Sequence, residues 1–338
     1  MILVTGGTGL VGSHLLFELV KKGHKVRATY RSKKKIDAAK HVFSYFTTQV
    51  DELFSQIEWV EAHLNDIPAI TKAFKEVANV YHCAALVSFD PNDYYALRRI
   101  NIEGTANIVN LCLTHDIEKL CYVSSISAIG QGELNETIIT ENTNWIPDDD
   151  HSVYAITKYG AEIEVWRGVN EGLDAVIVNP GFIFGPGFWN TSSGSLIKKI
   201  NKGLSHYTTG VTGYVDIIDV IAAMTQLMDS TIKNERYILI SENISFKEFA
   251  LKAAQNLNVK PPKKEALNWH LQVAWRLDWL NYFVSRKRRK FTKQLASNLS
   301  KKFNYSNKKV IADLKFKFTP IDESISQTCQ FFLLDAQK

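Results

Sequence analysis

Short apolar runs alternate with helical patterns through the first half of the chain. Six runs have the length and composition of strands buried on both faces: residues 2–4, 25–31, 57–60, 80–85, 120–125 and 175–178. Amphipathic segments separate them, and the first of these carries Leu10, Leu15, Leu16 and Leu19 at helical spacing. Strands that alternate with helices predict an α/β fold with a doubly wound parallel sheet.

Three glycines follow the first apolar run at three-residue spacing: Gly6, Gly9 and Gly12. A strand, a tight glycine turn and a helix start leave backbone N–H groups and the positive end of the helix dipole free for a pyrophosphate. A plain tight turn would use the same glycines. The strand before the turn and the helix after it favour dinucleotide binding.

The pattern changes character near residue 181. We predict a dinucleotide-binding Rossmann domain over residues 1–181 and a smaller, mostly helical substrate-binding region over residues 182–338. Residues 213–230 are expected to rejoin the first domain. Residues 266–283 contain three tryptophans and predict a helix that covers a pocket. A helix that lies on a membrane surface is the alternative, because the basic run 286–290 follows it.

The end of the second predicted strand points to the choice of cofactor. Rossmann folds that select NAD usually place a carboxylate there, for the ribose 2′-hydroxyl. This chain has Tyr30 and Arg31 instead. A guanidinium suits a 2′-phosphate, so NADP is favoured, with NAD possible. The lysines at 33–35 are interpreted as a solvated loop.

Tyr154 and Lys158 are four residues apart on a predicted helix and so lie on one face. A free phenol has a pKa near ~10, too high for efficient proton exchange at neutral pH. A neighbouring ammonium and an oxidised nicotinamide are expected to lower it. Ser125, at the end of the fifth strand, can hydrogen-bond a substrate oxygen. The same spacing occurs on ordinary helix surfaces, but its position after a glycine turn and a hydroxyl-ended strand favours catalysis.

In parallel sheets of this kind, ligands bind beyond the carboxyl ends of the strands. The residues expected to meet there are Gly6, Gly9, Arg31, Ala84, Ser124 and Ser125.

The composition and net charge of the chain indicate an ordinary globular protein. The chain of 338 residues is 45% hydrophobic and 22% charged, with a net charge of +5. These values are ordinary for a globular protein and do not point to nucleic acid. The four cysteines show no metal or redox spacing, so we expect free thiols, no metal site and a cytoplasmic location. Met1 leads directly into a strand, and no apolar run is long enough for a membrane span, so neither a signal peptide nor a span is expected.

The chain resembles the extended short-chain dehydrogenases/reductases. Residues 5–12 (TGGTGLVG) are similar to the cofactor turn of that family, and Ser125, Tyr154 and Lys158 to its catalytic triad. Other segments that resemble the family are Asn101 in NIEGT, residues 180–187 (PGFIFGPG), residues 214–220 (YVDIIDV) and residues 305–316, where Lys315 replaces a glycine. The strand VRATYR is similar to that of dihydroflavonol-reductase-like enzymes.

The resemblance implies which residues bind the cofactor and act in catalysis. Expected at the cofactor are Thr5, Gly6, Gly9, Leu10, Val11, Gly12, Arg31, His63, Leu64, Ala84, Ala85, Ser124, Tyr154, Lys158, Pro180, Gly181 and Ile183. Asn101 would hold a water link to Lys158. His63 stands where the family often has an aspartate for the adenine amino group, so adenine recognition is expected to differ. An ordinary loop histidine remains the alternative at that position.

The sequence therefore predicts an NAD(P)-dependent reductase or dehydrogenase that interconverts a carbonyl and an alcohol. The alternatives are a nucleotide-sugar epimerase or dehydratase with tightly held NAD, and a cofactor-sensing protein without chemistry. The family resemblance also implies a homodimer, through helices around residues 97–112 and 154–168.

Overall fold

The computed structural model describes residues 1–131, 138–285, 289 and 291–337, apart from the side chain of Ser192. Its centre is a sheet of seven parallel strands. In chain order these are β1 (Ile2–Thr5), β2 (Val26–Tyr30), β3 (Ile57–Glu61), β4 (Asn79–His82), β5 (Lys119–Val123), β6 (Ala175–Pro180) and, after the strands of a second sheet, β10 (Glu235–Leu239). Across the sheet the order is β10-β6-β5-β4-β1-β2-β3.

Helices cover both faces of this sheet. On one face lie α1 (Leu10–Lys21), α2 (Ile36–Phe43), α3 (Val50–Ser55) and α9 (Ile217–Asp229). On the other lie α4 (Ile67–Ala73), α6 (Gly104–Thr114) and α7 (Val153–Asn170). Two separate apolar cores, one on each face, confirm the predicted doubly wound parallel architecture.

A second, smaller core lies beside the sheet. It is built on three strands, β7 (Phe182–Phe184), β9 (Val211–Asp216) and β11 (Glu242–Ser245). Helices α8 (Ser192–Asn201), α10 (Phe246–Asn256) and α14 (Ile321–Ala336) pack around it. The remaining elements are β8 (His206–Tyr207), β12 (Lys264–Glu265), α5 (Tyr94–Leu97), α11 (Asn268–Ser285), α12 (Lys293–Asn298) and α13 (Lys308–Leu314).

Three predicted elements differ from those observed. The amphipathic segment between the second and third predicted strands forms two helices, α2 and α3, rather than one. Strand β4 ends at His82, so Cys83 and Ala84 leave the sheet and become free to meet a ligand. The helix expected around Asn101 is interrupted by a π-helical segment, Arg98–Glu103, which joins α5 to α6. Such segments are frequent at functional sites because they turn one side chain out of helical register.

The chain returns to the main sheet after the second core has begun. Helix α9 packs against α1, within residues 213–230 that were expected to rejoin the first domain. Strand β10 then pairs with β6 in parallel, with Tyr237 opposite Val178. The sequence analysis assigned no strand there. The short run ERYIL has no clear strand pattern of its own, and its last three residues are buried because it pairs with β6.

Helix α11 forms where the aromatic stretch predicted a helix, but most of it is exposed. Within α11, all of whose residues are described, only Leu271 is buried. The basic run 286–290 lies outside the described residues except for Arg289. None of the described helices combines the length and the apolar character needed to cross a bilayer.

Candidate active site

The glycine turn between β1 and α1 requires glycine at two positions for steric reasons. Gly6 has a φ of +69°, and a Cβ there would lie 2.7 Å from Cα of Ala84. A Cβ on Gly12 would lie 2.3 Å from the carbonyl oxygen of Gly6. Gly9 occupies the N-cap of α1 and has more space, because a Cβ there would lie 3.4 Å from the same oxygen. The turn therefore folds tightly and exposes the start of α1 to the cleft.

An open cleft runs along this turn and the ends of β2, β3 and β4. Seven of the expected cofactor residues line it: Gly6, Gly9, Arg31, His63, Leu64, Ala84 and Ala85. The lining residues not expected from the sequence are Thr8, Thr29, Tyr30, Lys35, Ala62, Cys83 and Ile100.

Other expected cofactor residues do not line this cleft. Thr5 is buried, and its hydroxyl accepts a hydrogen bond from the Ala84 N–H at 3.3 Å, so it supports the turn from behind. The buried Ser124 hydroxyl donates to Glu162 Oε2 at 2.7 Å. Eight further expected residues are also absent from the lining of the cleft: Leu10, Val11, Gly12, Tyr154, Lys158, Pro180, Gly181 and Ile183.

The cleft is electropositive at the end of β2. Arg31 and Lys35 border it, and the residues that line it include no carboxylate. Lys35, expected to be only solvated, is thus also within reach of a ligand. Partial burial, followed by the charges of Arg31 and Arg99, lowers the pKa of His63. At neutral pH the imidazole therefore adds no charge, and Arg31 and Lys35 supply the positive charge at this end of the cleft.

Ser125, Tyr154 and Lys158 come together beyond the end of β5. Ser152 begins α7 by accepting a hydrogen bond from the Ala155 N–H at 3.1 Å, which places Tyr154 in the first turn. The Ser125 side chain lies close enough to the Tyr154 hydroxyl to lower its pKa slightly, against the larger effect of burial. The ring of Phe89, in the loop after β4, meets Tyr154 edge-on at 5.7 Å.

Burial moves the pKa values of the pair in the directions opposite to catalytic activation. It raises the pKa of Tyr154 to about 12, against a smaller effect of the Ser125 side chain. It lowers the pKa of Lys158 to about 7, against the nearby charge of Glu162. In the protein alone, desolvation has the largest effect on the phenol, so its pKa lies above the ordinary value, and the expected lowering by the ammonium together with an oxidised nicotinamide stays a prediction.

The ammonium of Lys158 is directed at strand β5 rather than at Tyr154. Its Nζ donates to the Tyr122 hydroxyl at 2.7 Å and to the Val123 carbonyl at 2.8 Å. Tyr122 is fully buried, and its ring also lies under the ammonium, 4.4 Å from the ring centroid. Lys158 is thereby held in one place in the protein interior.

Tyr122 belongs to a buried polar chain that reaches the glycine turn. Its hydroxyl lies close enough to Thr105 for that side chain to affect its pKa, and Oγ1 of Thr105 lies 3.0 Å from Nε2 of His82. Nδ1 of His82 lies 2.6 Å from the hydroxyl of Thr5. The chain couples the position of Lys158 to the turn that faces the cleft. Sequence reasoning missed Tyr122 and His82, which look like ordinary strand residues.

Glu162 is a second residue that the sequence analysis missed. It is buried, and its carboxylate accepts hydrogen bonds from Ser124, Asn179 at 3.0 Å and Arg236 at 3.0 Å. Asn179 also donates to the Ser125 carbonyl at 3.0 Å, so Glu162 fixes the strand ends on which the triad depends. Its spacing of four residues from Lys158 was the available signal.

Asn101 lies in the π-helical segment and is buried. Its amide holds the loop after β4 through Leu86, accepting from the N–H at 2.8 Å and donating to the carbonyl at 3.0 Å. It also donates to the Thr157 hydroxyl, next to Lys158, at 3.1 Å. The expected water link to Lys158 stays a prediction.

Comparison with known proteins agrees with this geometry. The family model "NAD dependent epimerase/dehydratase family" matches residues 2–239. Tetraketide alpha-pyrone reductase 2 of Arabidopsis thaliana is 30% identical over 253 residues, which cover 71% of this chain and 77% of that one. Sterol demethylase protein B of Methylococcus capsulatus is 30% identical over 251 residues, covering 71% and 70%.

Among solved structures, UDP-glucose 4-epimerase from Thermotoga maritima, crystallised with UDP-glucose, has the same fold. It superposes with a TM-score of 0.78 at 17% identity and covers 99% of each chain. Together with the glycine turn, the electropositive cleft and the Ser125–Tyr154–Lys158 arrangement, these matches identify the chain as a member of the NAD dependent epimerase/dehydratase family, within the extended short-chain dehydrogenases/reductases, and as an NAD(P)-dependent oxidoreductase of that type.

Proposed function

We propose that this protein is an NADPH-dependent reductase of aldehydes or ketones, with Tyr154 as the proton donor. The observation that carries the proposal is the placement of Ser125, Tyr154 and the buried Lys158 together beyond the end of β5. The residues of the cleft fit a dinucleotide, because the start of α1 faces it at Gly9 and Arg31 and Lys35 make its other end positive. A bound nicotinamide would supply the hydride for the carbonyl carbon of the substrate.

The protein groups supply orientation and the proton. The Ser125 hydroxyl would orient the substrate oxygen, and the Tyr154 hydroxyl would donate its proton to that oxygen as the hydride arrives. A phenol with a pKa of about 12 remains protonated at neutral pH and can serve as the acid in reduction. The product is the alcohol, and the remaining phenolate is then reprotonated from solvent.

Replacement of Tyr154 tests this assignment. We expect Tyr154→Phe to reduce turnover by about 100-fold or more, because general acid catalysis contributes at least that much. The assay follows NADPH oxidation with a panel of aldehydes and ketones, and NADPH affinity is measured separately. Tyr159→Phe is the matched control, since Tyr159 lies on the same helix and stacks on Trp145. Turnover of Tyr154→Phe equal to that of the control would refute the role.

Preference for NADPH is proposed on the charges at the end of β2. Arg31 and Lys35 border the cleft where a 2′-phosphate would lie, and no carboxylate lines it. A guanidinium can bind a phosphate through two parallel hydrogen bonds, whereas a carboxylate would repel it.

Replacement of Arg31 tests the cofactor preference. Loss of a charge-assisted hydrogen bond of about 1.5–3 kcal/mol predicts that Arg31→Ala weakens NADPH binding roughly 10- to 100-fold. NADH binding should change little. Lys34→Ala is the control, because Lys34 is exposed in the same segment. The measurement is calorimetric titration of both cofactors, and an unchanged ratio of the two affinities would contradict the assignment.

A nucleotide-sugar epimerase or dehydratase with tightly held NAD is the second candidate. The family model and the fold shared with a UDP-glucose 4-epimerase favour it. Such an enzyme returns the hydride to its substrate, so it shows no net oxidation of added NADPH and changes a nucleotide sugar instead. A protein that only senses the cofactor would show neither activity, and the presence of Tyr154 and Lys158 argues against it.

We also propose a homodimer through the helices around residues 97–112 and 154–168, which are α6 with the end of α5, and α7. Tyr95 on α5 is 80% exposed and Ile163 on α7 is 47% exposed. Exposed apolar residues on neighbouring helices are typical of subunit contacts. Light scattering of the purified protein measures its mass directly, and a dimer that Ile163→Glu dissociates is the expected result.

A further inference from the structure

Helix α11 presents an apolar surface to solvent. Seven of its apolar side chains are between 46% and 82% exposed: Trp269, Val273, Leu277, Trp279, Leu280, Phe283 and Val284. Single exposed apolar residues are common on proteins, but a contiguous set on one element marks a surface that binds something.

The exposed residues share one face of the helix. At about 100° per residue they fall within one half of its circumference, together with Arg276. The opposite half carries Leu271, which is buried, and Trp275, Asp278 and Tyr282, which are half-buried. The helix thus packs on the protein with a mixed face and leaves its more apolar face free, the reverse of a helix that covers a core.

The segment that contains α11 is strongly basic, although the protein as a whole is not. Residues 260–302 contain twelve Lys and Arg and two Asp and Glu, a net charge of +10. The whole chain has a net charge of +5, so the remaining residues carry a net charge of −5. Positive charge and exposed apolar surface are therefore concentrated in the same part of the sequence.

We propose that the exposed face of α11 docks on a lipid surface that carries anionic headgroups. A helix with aromatic and aliphatic residues on one face, flanked by Lys and Arg, is suited to lie in the plane of a bilayer interface. Tryptophan favours that interface, and basic residues are attracted to anionic lipid. A second copy of this chain fits less well, because it would oppose one segment of net charge +10 to another.

The helix is fixed to the body of the protein close to the catalytic tyrosine. Nε of Arg289 lies 3.5 Å from Oδ2 of Asp278 on α11. The backbone N–H of Arg289 donates to Oδ2 of Asp90 at 3.1 Å. Asp90 follows Phe89, whose ring contacts Tyr154. Docking through α11 would therefore hold the loop beside Tyr154 near the lipid surface.

Flotation with lipid vesicles tests the proposal on the full chain. The probes are vesicles of phosphatidylcholine alone and vesicles in which part of it is replaced by phosphatidylglycerol. We expect the protein to float with the phosphatidylglycerol vesicles at least about tenfold more strongly than with phosphatidylcholine, and added salt to weaken this binding. No flotation with the anionic vesicles would overturn the proposal.

Charged substitutions on the exposed face test whether this face makes the contact with lipid. The double variant Leu277→Glu, Leu280→Glu should lose flotation by about tenfold or more while keeping its thermal stability, because both side chains are exposed. Leu334→Glu, at an exposed apolar position on α14, is the matched control and should float normally. Equal flotation of the double variant and the control would contradict the assignment of the face.

Two further measurements distinguish lipid docking from self-association and from the proposed enzymatic activity. If the double variant loses self-association but no form floats, the face is a contact between copies and the lipid proposal is wrong. Tyr154→Phe should float like the unmodified protein, so lipid binding can be confirmed even where the proposed reductase activity fails.

Discussion

Tyr154 and Lys158 lie one helical turn apart, yet each is controlled by the residues around it more than by the other. Burial raises the pKa of Tyr154 to about 12 and lowers that of Lys158 to about 7. The ammonium is held by Tyr122 and the Val123 carbonyl, which compensate part of its desolvation. The protonation state of Lys158 therefore depends on Tyr122.

Removal of the Tyr122 hydroxyl should change the pH dependence of activity. Tyr122→Phe removes an acceptor from the ammonium, so the pKa of Lys158 should fall further. Activity that requires protonated Lys158 should then decline at a lower pH on the alkaline side, with kcat at neutral pH reduced about tenfold. The measurement is the pH profile of kcat for both proteins.

The control for this prediction removes a buried phenol from the neighbouring strand. Tyr81 is 2% exposed on β4 and packs in the core on the opposite face of the sheet. Tyr81→Phe should leave the alkaline limb of the profile in place. A shift of equal size in both variants would show that Tyr122 acts on stability rather than on Lys158.

At the scale of single elements, the glycines of the turn between β1 and α1 have different roles. A Cβ on Gly12 would collide with the Gly6 carbonyl at 2.3 Å, whereas one on Gly9 would lie 3.4 Å from it, an ordinary contact. Gly9 lines the cleft and Gly12 does not. Gly12 thus allows α1 to pack on the turn, and Gly9 leaves room for the ligand.

Alanine at these two positions should separate folding from binding. Gly12→Ala is expected to reduce the free energy of unfolding by about 1–3 kcal/mol, because the helix must move away from the turn. Gly9→Ala should leave stability within about 0.5 kcal/mol and weaken cofactor binding, because its methyl group enters the cleft. Urea unfolding and cofactor titration of both variants provide the measurements. Similar losses of stability in the two variants would contradict this division of roles.

At the scale of the whole molecule, buried neutral histidines make folding sensitive to acid. His14 on α1 is 2% exposed, and burial lowers its pKa from 6.5 to about 4. Between those two values the unfolded chain binds a proton at residue 14 that the folded protein does not. Stability therefore falls as pH falls through this interval and levels off below about pH 4.

His14→Leu should flatten this part of the stability curve. The histidine contributes at most about 3 kcal/mol to the loss between pH 6.5 and 4. Burial also lowers the pKa of His82, to about 3, but that contribution is common to both proteins and cancels in their difference. Urea unfolding across this range measures the effect, and parallel curves for the two proteins would show that His14 does not contribute to it.

The main features of the fold were predictable because they depend on residues close together in sequence. Apolar runs and helical periodicity identified six of the seven strands and predicted helices on both faces of the sheet. Strand β10 was missed because its burial is provided by β6. The exposure of α11 could not be read from its composition either, since the same tryptophans would suit a buried helix.

The candidate site was likewise predictable only where it depends on residues close together in sequence. The sequence by itself determined the glycine turn and the placement of Tyr154 and Lys158 on one helix face, because both are set by spacing along a few residues. Only the tertiary structure decided the directions of their pKa values, the contact of Lys158 with Tyr122 and the burial of Glu162 with Arg236, which is 74 residues away. Desolvation and long-range pairing depend on what the whole fold packs around a group, and no local pattern contains that information.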